Sequence, residues 1–234
     1  MKIATYNMHQ HKKDVCWQEL KNVYDPDIVL AQEACDPQDT DHVIWHKLTD
    51  YCGTAIYSKS GIHKELIVKD CEGWLVGAEV TWQSLPSGNG ESLTIFNFHA
   101  QAKSKMGNGY ANGIIGALER IKSTFTPKNL VIGGDFNLLP VDNESTIPGR
   151  IKREQKVFDL LRNDFHLESA WTLAHQDEKP PQTLRWRSKP EPLFHCDFLF
   201  VPQAWRTHIA ACDVLSSAQW DKLSDHNPVV ATFN

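Results

Sequence analysis

The stretch from Leu130 to Asn137 (LVIGGDFN) constrains the fold of this chain more than any other. Its three apolar residues predict a buried strand, and the two glycines after them let the backbone turn or approach a neighbour closely. Asp135 and Asn137 follow two positions apart, so both side chains share a face if the extended geometry continues. Such a carboxylate and carboxamide can orient a water and hold a phosphoryl oxygen. The alternative is a strand that ends in an Asx turn.

Composition bounds the class of protein. The chain has 234 residues, 41% of them hydrophobic, which suffices for a sizeable core, and we predict one domain over 1–234. No apolar run has the length of a membrane span, and no apolar signal region opens the chain. The six cysteines form no CxxC pair and lie mostly among apolar residues, so reduced thiols are favoured over disulfides or a zinc knuckle. We therefore expect a monomeric, cytoplasmic protein.

The formal net charge of −5 argues against a protein that coats nucleic acid non-specifically. It does not exclude nucleic acid as a substrate, because an acidic metal site can lie inside a basic rim. Two local basic clusters stand out, and most clusters of this kind are solvated surface. They are 150–153 with Lys156, and 185–187 with Lys189.

Apolar strands that run into polar residues recur along the chain. The predicted pairs are strand 3–6 with Asn7, 28–31 with Glu33, 93–98 with His99, 130–134 with Asp135, 194–201 with Asp197 inside it, and turn 224–228 with Asp225 and His226 before strand 229–233. Polar residues at strand ends fall where layered sheets usually bind ligands, in a crevice at one edge.

The remaining periodicity predicts helices at 14–24, 39–48, 111–124 and 154–165. It predicts further strands at 53–59 and 65–69 as neighbours, at 74–82 as the hairpin partner of 93–98, at 183–187, and at 209–215 as an edge strand. Alternating strands and helices with several hairpins indicate a mixed sheet layered with helices.

Seven of these pieces, in order, resemble the motifs of the endonuclease/exonuclease/phosphatase superfamily of metal-dependent phosphoesterases. They are 5–7, 32–33, 53–59, 97–99, 134–137, 196–198 and 224–226, and they span nearly the whole chain. The resemblance implies an α+β, DNase I-like fold. This is a four-layer α/β-sandwich in which two packed mixed β-sheets are flanked by helices, with the site where the sheets meet.

The resemblance also implies roles for single residues. Glu33 would be the main ligand of Mg²⁺ or Mn²⁺, and Asn7 and Asp225 would complete the shell directly or through water, since such ions prefer oxygen ligands. Asp135 would align and deprotonate the attacking water. Asn137 would hold that water or a phosphate oxygen.

Two histidines complete the implied site. His226, paired with Asp197, would contact the phosphate with a fixed tautomer and remain protonated, because a nearby carboxylate raises the pKa of an imidazole. His99 would bind the phosphate and could help protonate the leaving oxygen. Either Glu72 or Glu79 would orient His99, and Glu72 is favoured.

We predict a divalent-metal-dependent phosphodiester hydrolase that acts as a nuclease on DNA or RNA. Arg185 and Trp186 are the predicted substrate-binding residues, because interleaved basic and aromatic side chains bind a backbone and stack on bases. One alternative is a phosphatase or phosphodiesterase for a small or lipid-linked phosphate, such as an inositol phosphate or sphingomyelin. Another is a catalytically silent binding module that keeps the fold.

Three features depart from the superfamily pattern. The segment between Glu33 and Gly53 is short, which predicts an abbreviated rim. His195 stands where many relatives carry an arginine, which puts a second phosphate contact in doubt. Phe194 precedes Asp197 by three positions, where abasic-site nucleases carry an aromatic residue, and it is either a stacking wedge or a core residue.

Overall fold

The computed structural model describes residues 1–10, 14–37, 41–82, 92–127, 129–138, 150–176, 178–185 and 194–234. The strands are β1 (Lys2–Asn7), β2 (Ile28–Ala34), β3 (Val43–Lys47), β4 (Gly53–Ser58), β5 (Lys64–Leu66), β6 (Leu75–Val80), β7 (Leu93–His99), β8 (Lys103–Ser104), β9 (Gly107–Asn108), β10 (Leu130–Asp135), β11 (Leu167–Ser169), β12 (Asp197–Pro202), β13 (Ile209–Val214) and β14 (Val229–Phe233). The helices are α1 (Val15–Tyr24), α2 (Tyr110–Thr124), α3 (Arg150–Asp159), α4 (Ala170–His175) and α5 (Trp220–Leu223), with a π-helical turn at Leu160–Asp164 and a 3₁₀ helix at Gln203–Thr207.

Two six-stranded mixed sheets form the centre of the fold. The first has the order β13-β14-β1-β2-β4-β3, and the second has the order β11-β12-β10-β7-β6-β5. Each sheet contains one parallel pair at its centre, β1 with β2 and β7 with β10, while the other pairs are antiparallel. The carboxyl ends of these four strands carry Asn7, Glu33, His99 and Asp135. We call this end of the sandwich the polar edge.

Three apolar clusters hold the layers together. The central one lies between the two sheets and includes Ile3, Leu30, Val76, Ile95 and Val131, which have no exposed surface. A second cluster joins the first sheet to α1 and α5, and a third joins the second sheet to α2 and α3. Burying one such side chain contributes about 1.5–3 kcal/mol, so these clusters stabilise the packing of the layers. The residues of the polar edge are not needed for that packing. The four-layer, DNase I-like sandwich is confirmed.

Most predicted elements are confirmed. Helix 14–24 is α1, helix 111–124 is α2, the 74–82 and 93–98 segments pair as antiparallel β6 and β7, and β13 is an edge strand. The four central strands are buried on both faces, which explains their near-continuous apolar sequence. Helix 154–165 is α3 followed by the π-helical turn.

Three local predictions were wrong. The helix at 39–48 is replaced, within the described residues, by β3, because β4 offers a partner for its backbone and the Trp45 indole donates to the Ala34 carbonyl at 3.0 Å. Segments 53–59 and 65–69 are not neighbours, since β4 lies in the first sheet and β5 in the second. The strand at 183–187 is reduced to isolated bridges at Leu184 in its described part.

All six cysteines are free thiols, and five of them are buried. Burial raises the pKa of several of these thiols, to about 11 for Cys16 and to about 12 for Cys71 and Cys212. In the described part of the chain, no helix has both the length and the apolar character needed to cross a membrane.

Candidate active site

A bulge in β2 places Glu33 at the polar edge. The register of β2 against β4 shifts between Ala31 and Ala34, and Glu33 has a left-handed φ of 48°. Because of this bulge, consecutive residues both contact the second sheet: Gln32 bonds to Asn97, and Glu33 lies beside His99. Backbone strain of this kind is commonly stored at functional sites.

A buried amide pair ties the two sheets together directly beneath the polar edge. The Gln32 Nε2 group donates to Asn97 Oδ1 at 2.7 Å, and Asn97 Nδ2 donates to the carbonyls of Ala31 at 2.9 Å and Ala55 at 2.7 Å. These buried hydrogen bonds between the sheets favour one arrangement of the strands. The sequence analysis included both amides in motifs but assigned them no role.

Asp135 occupies the centre of the site and accepts three hydrogen bonds. Its donors are Asn7 Nδ2 at 3.0 Å, the Asn137 backbone amide at 2.9 Å and Asn137 Nδ2 at 3.1 Å. Burial, and then the charge of Asp197, raise the pKa of the Asp135 carboxyl above its ordinary value. A carboxylate that is held in one orientation and has a raised pKa suits a general base.

Gly134 is required by the approach of β7 to β10. Its φ is +127°, and a Cβ atom there would lie 1.9 Å from the Phe98 carbonyl oxygen. Only glycine therefore lets β10 deliver Asp135 alongside His99, its register partner on β7.

Asp197 and His226 form a buried ion pair beside Asp135. Asp197 is the register partner of Asp135 across β10 and β12, and its Oδ2 lies 2.9 Å from His226 Nδ1. Burial alone would lower the pKa of His226, but Asp197 raises it to about 10. Burial alone would raise the pKa of Asp197, but His226 holds it below its ordinary value. Both groups are therefore charged at neutral pH.

Hydrogen bonds from the backbone hold this pair in place. The Thr183 hydroxyl accepts from the amides of Cys196 at 3.0 Å and Asp197 at 3.2 Å. The Ser224 hydroxyl accepts from the His226 amide at 3.0 Å and donates to the Asn7 carbonyl at 2.7 Å. The C-terminal turn is thus fastened to the end of β1.

The carboxylate beside His99 is Glu33, with His99 Nε2 3.6 Å from Glu33 Oε1. The expected partners were wrong: neither Glu72 nor Glu79 forms an ion pair with His99 in the structure, and Glu72 is exposed. Glu79 lies on β6 opposite Thr94, far along the strand from the polar edge. Because Glu33 arrives from the other sheet, no pattern along the second sheet could have indicated it.

The predicted metal ligands are connected by contacts. Asn7 Nδ2 lies 3.3 Å from Glu33 Oε1, and Asn7 Oδ1 accepts from the His9 amide at 3.0 Å. His9 Nδ1 in turn lies 3.0 Å from Asp225 Oδ1. The sequence analysis missed His9, although its position two residues after Asn7 was a usable signal.

This donor set fits a hard divalent cation. Asp225 Oδ1 is a buried atom without a hydrogen-bond partner, even though the His9 ring is close. A buried carboxylate oxygen left unpaired is costly, and a cation would satisfy it. Two carboxylates and a carboxamide oxygen are the ligand types that Mg²⁺ and Mn²⁺ prefer.

A different trio does not suit a metal. Among the described residues, Cys196, Asp197 and His226 are the one set of His, Cys, Asp or Glu side chains whose ligand atoms all lie within 4.8 Å of one another. Burial raises the pKa of the Cys196 thiol well above its ordinary value, so it is protonated and a poor ligand. The other two members already pair with each other.

The predicted substrate-binding residues are less informative. The Arg185 guanidinium donates to Asn227 Oδ1 and to the Ser224 carbonyl, and it lies 3.1 Å from Asp221. Arg185 thus braces the C-terminal turn, and its contact with substrate stays a prediction. Trp186 lies outside the described residues.

Comparisons with known proteins identify the family and the fold. The model of the Endonuclease/Exonuclease/phosphatase family matches residues 4–226. No curated protein sequence matches the chain. Among solved structures, the chain is similar to the 3′ phosphatase NExo from Neisseria bound to product DNA hairpin, with 18% identity, a TM-score of 0.74, and 100% of this chain and 99% of that chain covered.

Two further solved structures have the same fold. An AP endonuclease from Archaeoglobus fulgidus has 17% identity and a TM-score of 0.75, with 100% of this chain and 99% of that chain covered. The endonuclease/exonuclease/phosphatase from Bacteroides vulgatus has 18% identity and a TM-score of 0.70, with 100% and 98% covered. At these identities the likeness shows the fold.

Proposed function

This chain belongs to the Endonuclease/Exonuclease/phosphatase family, and from that premise we propose that it is a divalent-metal-dependent nuclease that hydrolyses phosphodiester bonds of DNA or RNA. The observation that carries the proposal is the convergence of Asp135 with Asn7 and Glu33 on one side and with the Asp197–His226 ion pair on the other. These side chains come from both sheets and meet at one edge.

The side chains divide the work of hydrolysis. Mg²⁺ or Mn²⁺ held by Asn7, Glu33 and Asp225 would withdraw charge from a phosphate oxygen. Asp135 takes a proton from the attacking water, and its raised pKa brings it closer to the working pH. Asn137 fixes the orientation of that carboxylate through two hydrogen bonds.

The two histidines act on the phosphate. His226 is a buried imidazolium that stabilises negative charge on the equatorial oxygens as it develops. Asp197 keeps the ring in one orientation and keeps it protonated. His99, next to Asp135 in register, donates to the leaving oxygen.

Nucleic acid is the substrate that the comparisons support. One similar structure is a 3′ phosphatase bound to product DNA, and another is an AP endonuclease. Lys152 and Arg153 on α3 are exposed, and their positive charge suits phosphate binding. A monomer in a reducing, cytoplasmic compartment is part of the proposal, and the buried free thiols fit it.

The second candidate is a phosphatase or phosphodiesterase for a small or lipid-linked phosphate. The family description includes phosphatases, and the same catalytic groups would serve a monoester. A catalytically silent module is disfavoured by the complete set of polar side chains at the polar edge.

A substrate panel tests the proposal. Plasmid DNA, single-stranded DNA, RNA and inositol phosphates are incubated with Mg²⁺ and with wild type, Asp135→Asn or Asp213→Asn, the last being a matched change on the exposed strand β13. We expect wild type and Asp213→Asn to cleave nucleic acid and Asp135→Asn to be inactive. Phosphate release from inositol phosphates without any nucleic-acid cleavage would favour the second candidate.

A further inference from the structure

A cavity of about 510 Å³ lies on the outer face of the second sheet, opposite the face that carries Asp197. Phe198 and Phe200 of β12 form part of its floor, and α3, the π-helical turn, β11 and α4 form its walls. Asp197 and Phe198 are consecutive residues of β12, so they point to opposite faces. None of the cavity residues takes part in the hydrolysis proposed above.

One wall of the cavity is a fixed aromatic platform. The Trp171 ring is stacked on His175 with centroids 3.8 Å apart, and the Trp171 indole N–H donates to the Glu178 carbonyl at 3.1 Å. His175 is held in turn by the Cys212 carbonyl at 2.7 Å from its Nε2. Trp171 lines the cavity with its N–H already bonded, so its ring offers an apolar aromatic surface there. Such a surface favours a planar ligand.

A buried histidine supplies the polar counterpart. His195 lines the cavity and is 3% exposed, and its Nδ1 lies 2.8 Å from the Pro181 carbonyl. A carbonyl can only accept, so Nδ1 carries the proton and Nε2 is the acceptor. Burial lowers the pKa of the His195 ring, which keeps this neutral tautomer. Nε2 has no partner among the described residues, so it can accept from a ligand N–H.

The charges at the cavity cancel. Its lining has two cationic residues, Arg162 and Lys179, and two acidic ones, Glu168 and Glu178. Arg162 is paired with Glu168 at 2.9 Å, and Glu178 Oε2 lies 3.6 Å from His175 Nδ1. The cavity therefore offers no net charge for an ionic ligand. Its lining suits a neutral planar ring that can stack on Trp171 and that carries an N–H donor.

We propose that this cavity binds a nucleobase, stacked on Trp171 and donating an N–H to His195 Nε2. The choice of a nucleobase among planar heterocycles rests on the proposed nuclease function. The base could belong to a free nucleotide or to an unpaired residue of a strand, because His195 stands at the same end of β12 as Asp197. The cavity thus adds a base-binding site to an enzyme whose polar edge is proposed to act on the phosphate.

Binding is measured by calorimetry in EDTA, so that hydrolysis plays no part. The probes are AMP, a short single-stranded oligoadenylate, and ribose 5-phosphate, which lacks the base. We expect AMP or the oligonucleotide to bind and ribose 5-phosphate not to bind. Binding of AMP alone assigns the site to free nucleotides, and much tighter binding of the oligonucleotide assigns it to a strand.

Two variants test the location. Trp171→Leu removes the platform, and Thr172→Trp fills the cavity without deleting a contact group, so one of them remains informative if the other fails to fold. Each should weaken binding about tenfold or more, since base–aromatic stacking is of that strength. Trp82→Leu, a half-buried tryptophan that does not line the cavity, is the matched control and should bind as wild type does.

The outcomes separate this inference from the proposed function. No binding of any base-bearing probe, or binding that both cavity variants leave unchanged, overturns the base site even if the protein cleaves plasmid DNA with Mg²⁺. Binding that both variants abolish, in a protein that cleaves no nucleic acid, supports the base site and overturns the nuclease proposal.

Discussion

The candidate site has two halves that differ in burial. Asp135, Asp197 and His226, which we call the buried half, are at most 6% exposed. Glu33 and Asp225, which we call the rim half, have side chains that are 18% and 30% exposed. Asn7 is 1% exposed and donates to both Glu33 and Asp135, so it links the two halves. The buried half carries its own countercharge in His226. Among the described residues, the rim half has no lysine or arginine partner.

This difference means that folding alone forms the buried ion pair, whereas the rim half needs a metal ion from solution. A buried ion pair is formed with the fold and is preorganised for catalysis, because water cannot screen or displace it. The two partly exposed carboxylates have only histidines beside them, His9 and His99, so they remain available as ligands for a cation. Changes in the rim half should therefore mainly alter metal affinity. Changes in the buried half should mainly alter the free energy of unfolding.

The largest effect is expected from Asp135→Asn. The change keeps the size of the side chain but removes the group that takes the proton, so kcat should fall by about 10²–10⁴-fold. Steady-state cleavage of an oligonucleotide measures it. Metal affinity should change much less than kcat, because Glu33 and Asp225 are unchanged and only the hydrogen bond from the Asn7 amide is altered. Undiminished hydrolysis would remove Asp135 from the role of base.

The next effect concerns the stability of the buried half. His226→Gln leaves Asp197 as a buried carboxylate without its cation, which should lower the free energy of unfolding by about 3–5 kcal/mol. Urea denaturation in EDTA measures this change. The matched variant Glu33→Gln, in the rim half, should change stability by no more than about 1 kcal/mol. Equal effects at the two positions would contradict the distinction between the halves.

The same pair predicts how stability depends on pH. The pKa of His226 rises from about 6.5 in the unfolded chain to about 10 in the folded protein, so its contribution is complete below pH 6.5 and is lost as pH rises towards 10. The pKa of Asp197 is lowered, so its contribution is lost only as pH falls below about 3.9. The stability difference between wild type and His226→Gln should shrink steadily between pH 6.5 and 10. A constant difference over that window would indicate an uncharged His226.

Glu33→Gln sharpens the comparison from the metal side. Because Glu33 is the predicted main ligand, its neutral analogue should raise the dissociation constant for Mn²⁺ at least about tenfold, as measured by calorimetry. Asp213→Asn provides a charge-matched control, because Asp213 is an exposed residue of the edge strand β13. Unchanged Mn²⁺ affinity in Glu33→Gln would place the ion elsewhere.

Burial gives the sequence its clearest physical argument at Asp197. This carboxylate lies inside a predicted apolar strand, where a charged residue needs a partner, and the structure pairs it with His226. The same logic located the central strands, which read as continuous apolar runs because both of their faces are buried. A local sequence pattern is enough to predict a feature where burial restricts which residues can occur there.

The missed features depend on relations between the two sheets. The bulge that turns Glu33 towards His99, the amide pair of Gln32 and Asn97, and the contact of His9 with Asp225 all join segments that are far apart in the chain. Hydrophobic periodicity reports only which face of a strand is buried. The wrong pairing of β4 with β5 has the same origin, because two consecutive strands can enter different sheets.

His9→Ala should have the smallest effect. It tests whether His9 competes with the metal ion for Asp225 or is itself a metal ligand. The His9 ring is exposed and lies against Asp225 Oδ1, where it competes with a cation for that oxygen. Removing an exposed pair should alter stability by less than about 1 kcal/mol and should tighten Mn²⁺ binding by at most about fivefold. His63→Ala, a change of an exposed histidine whose ring has no partner among the described residues, should leave Mn²⁺ binding unaltered. A marked loss of Mn²⁺ affinity in His9→Ala would instead make His9 a nitrogen ligand, and the rim half would then favour transition metals over Mg²⁺.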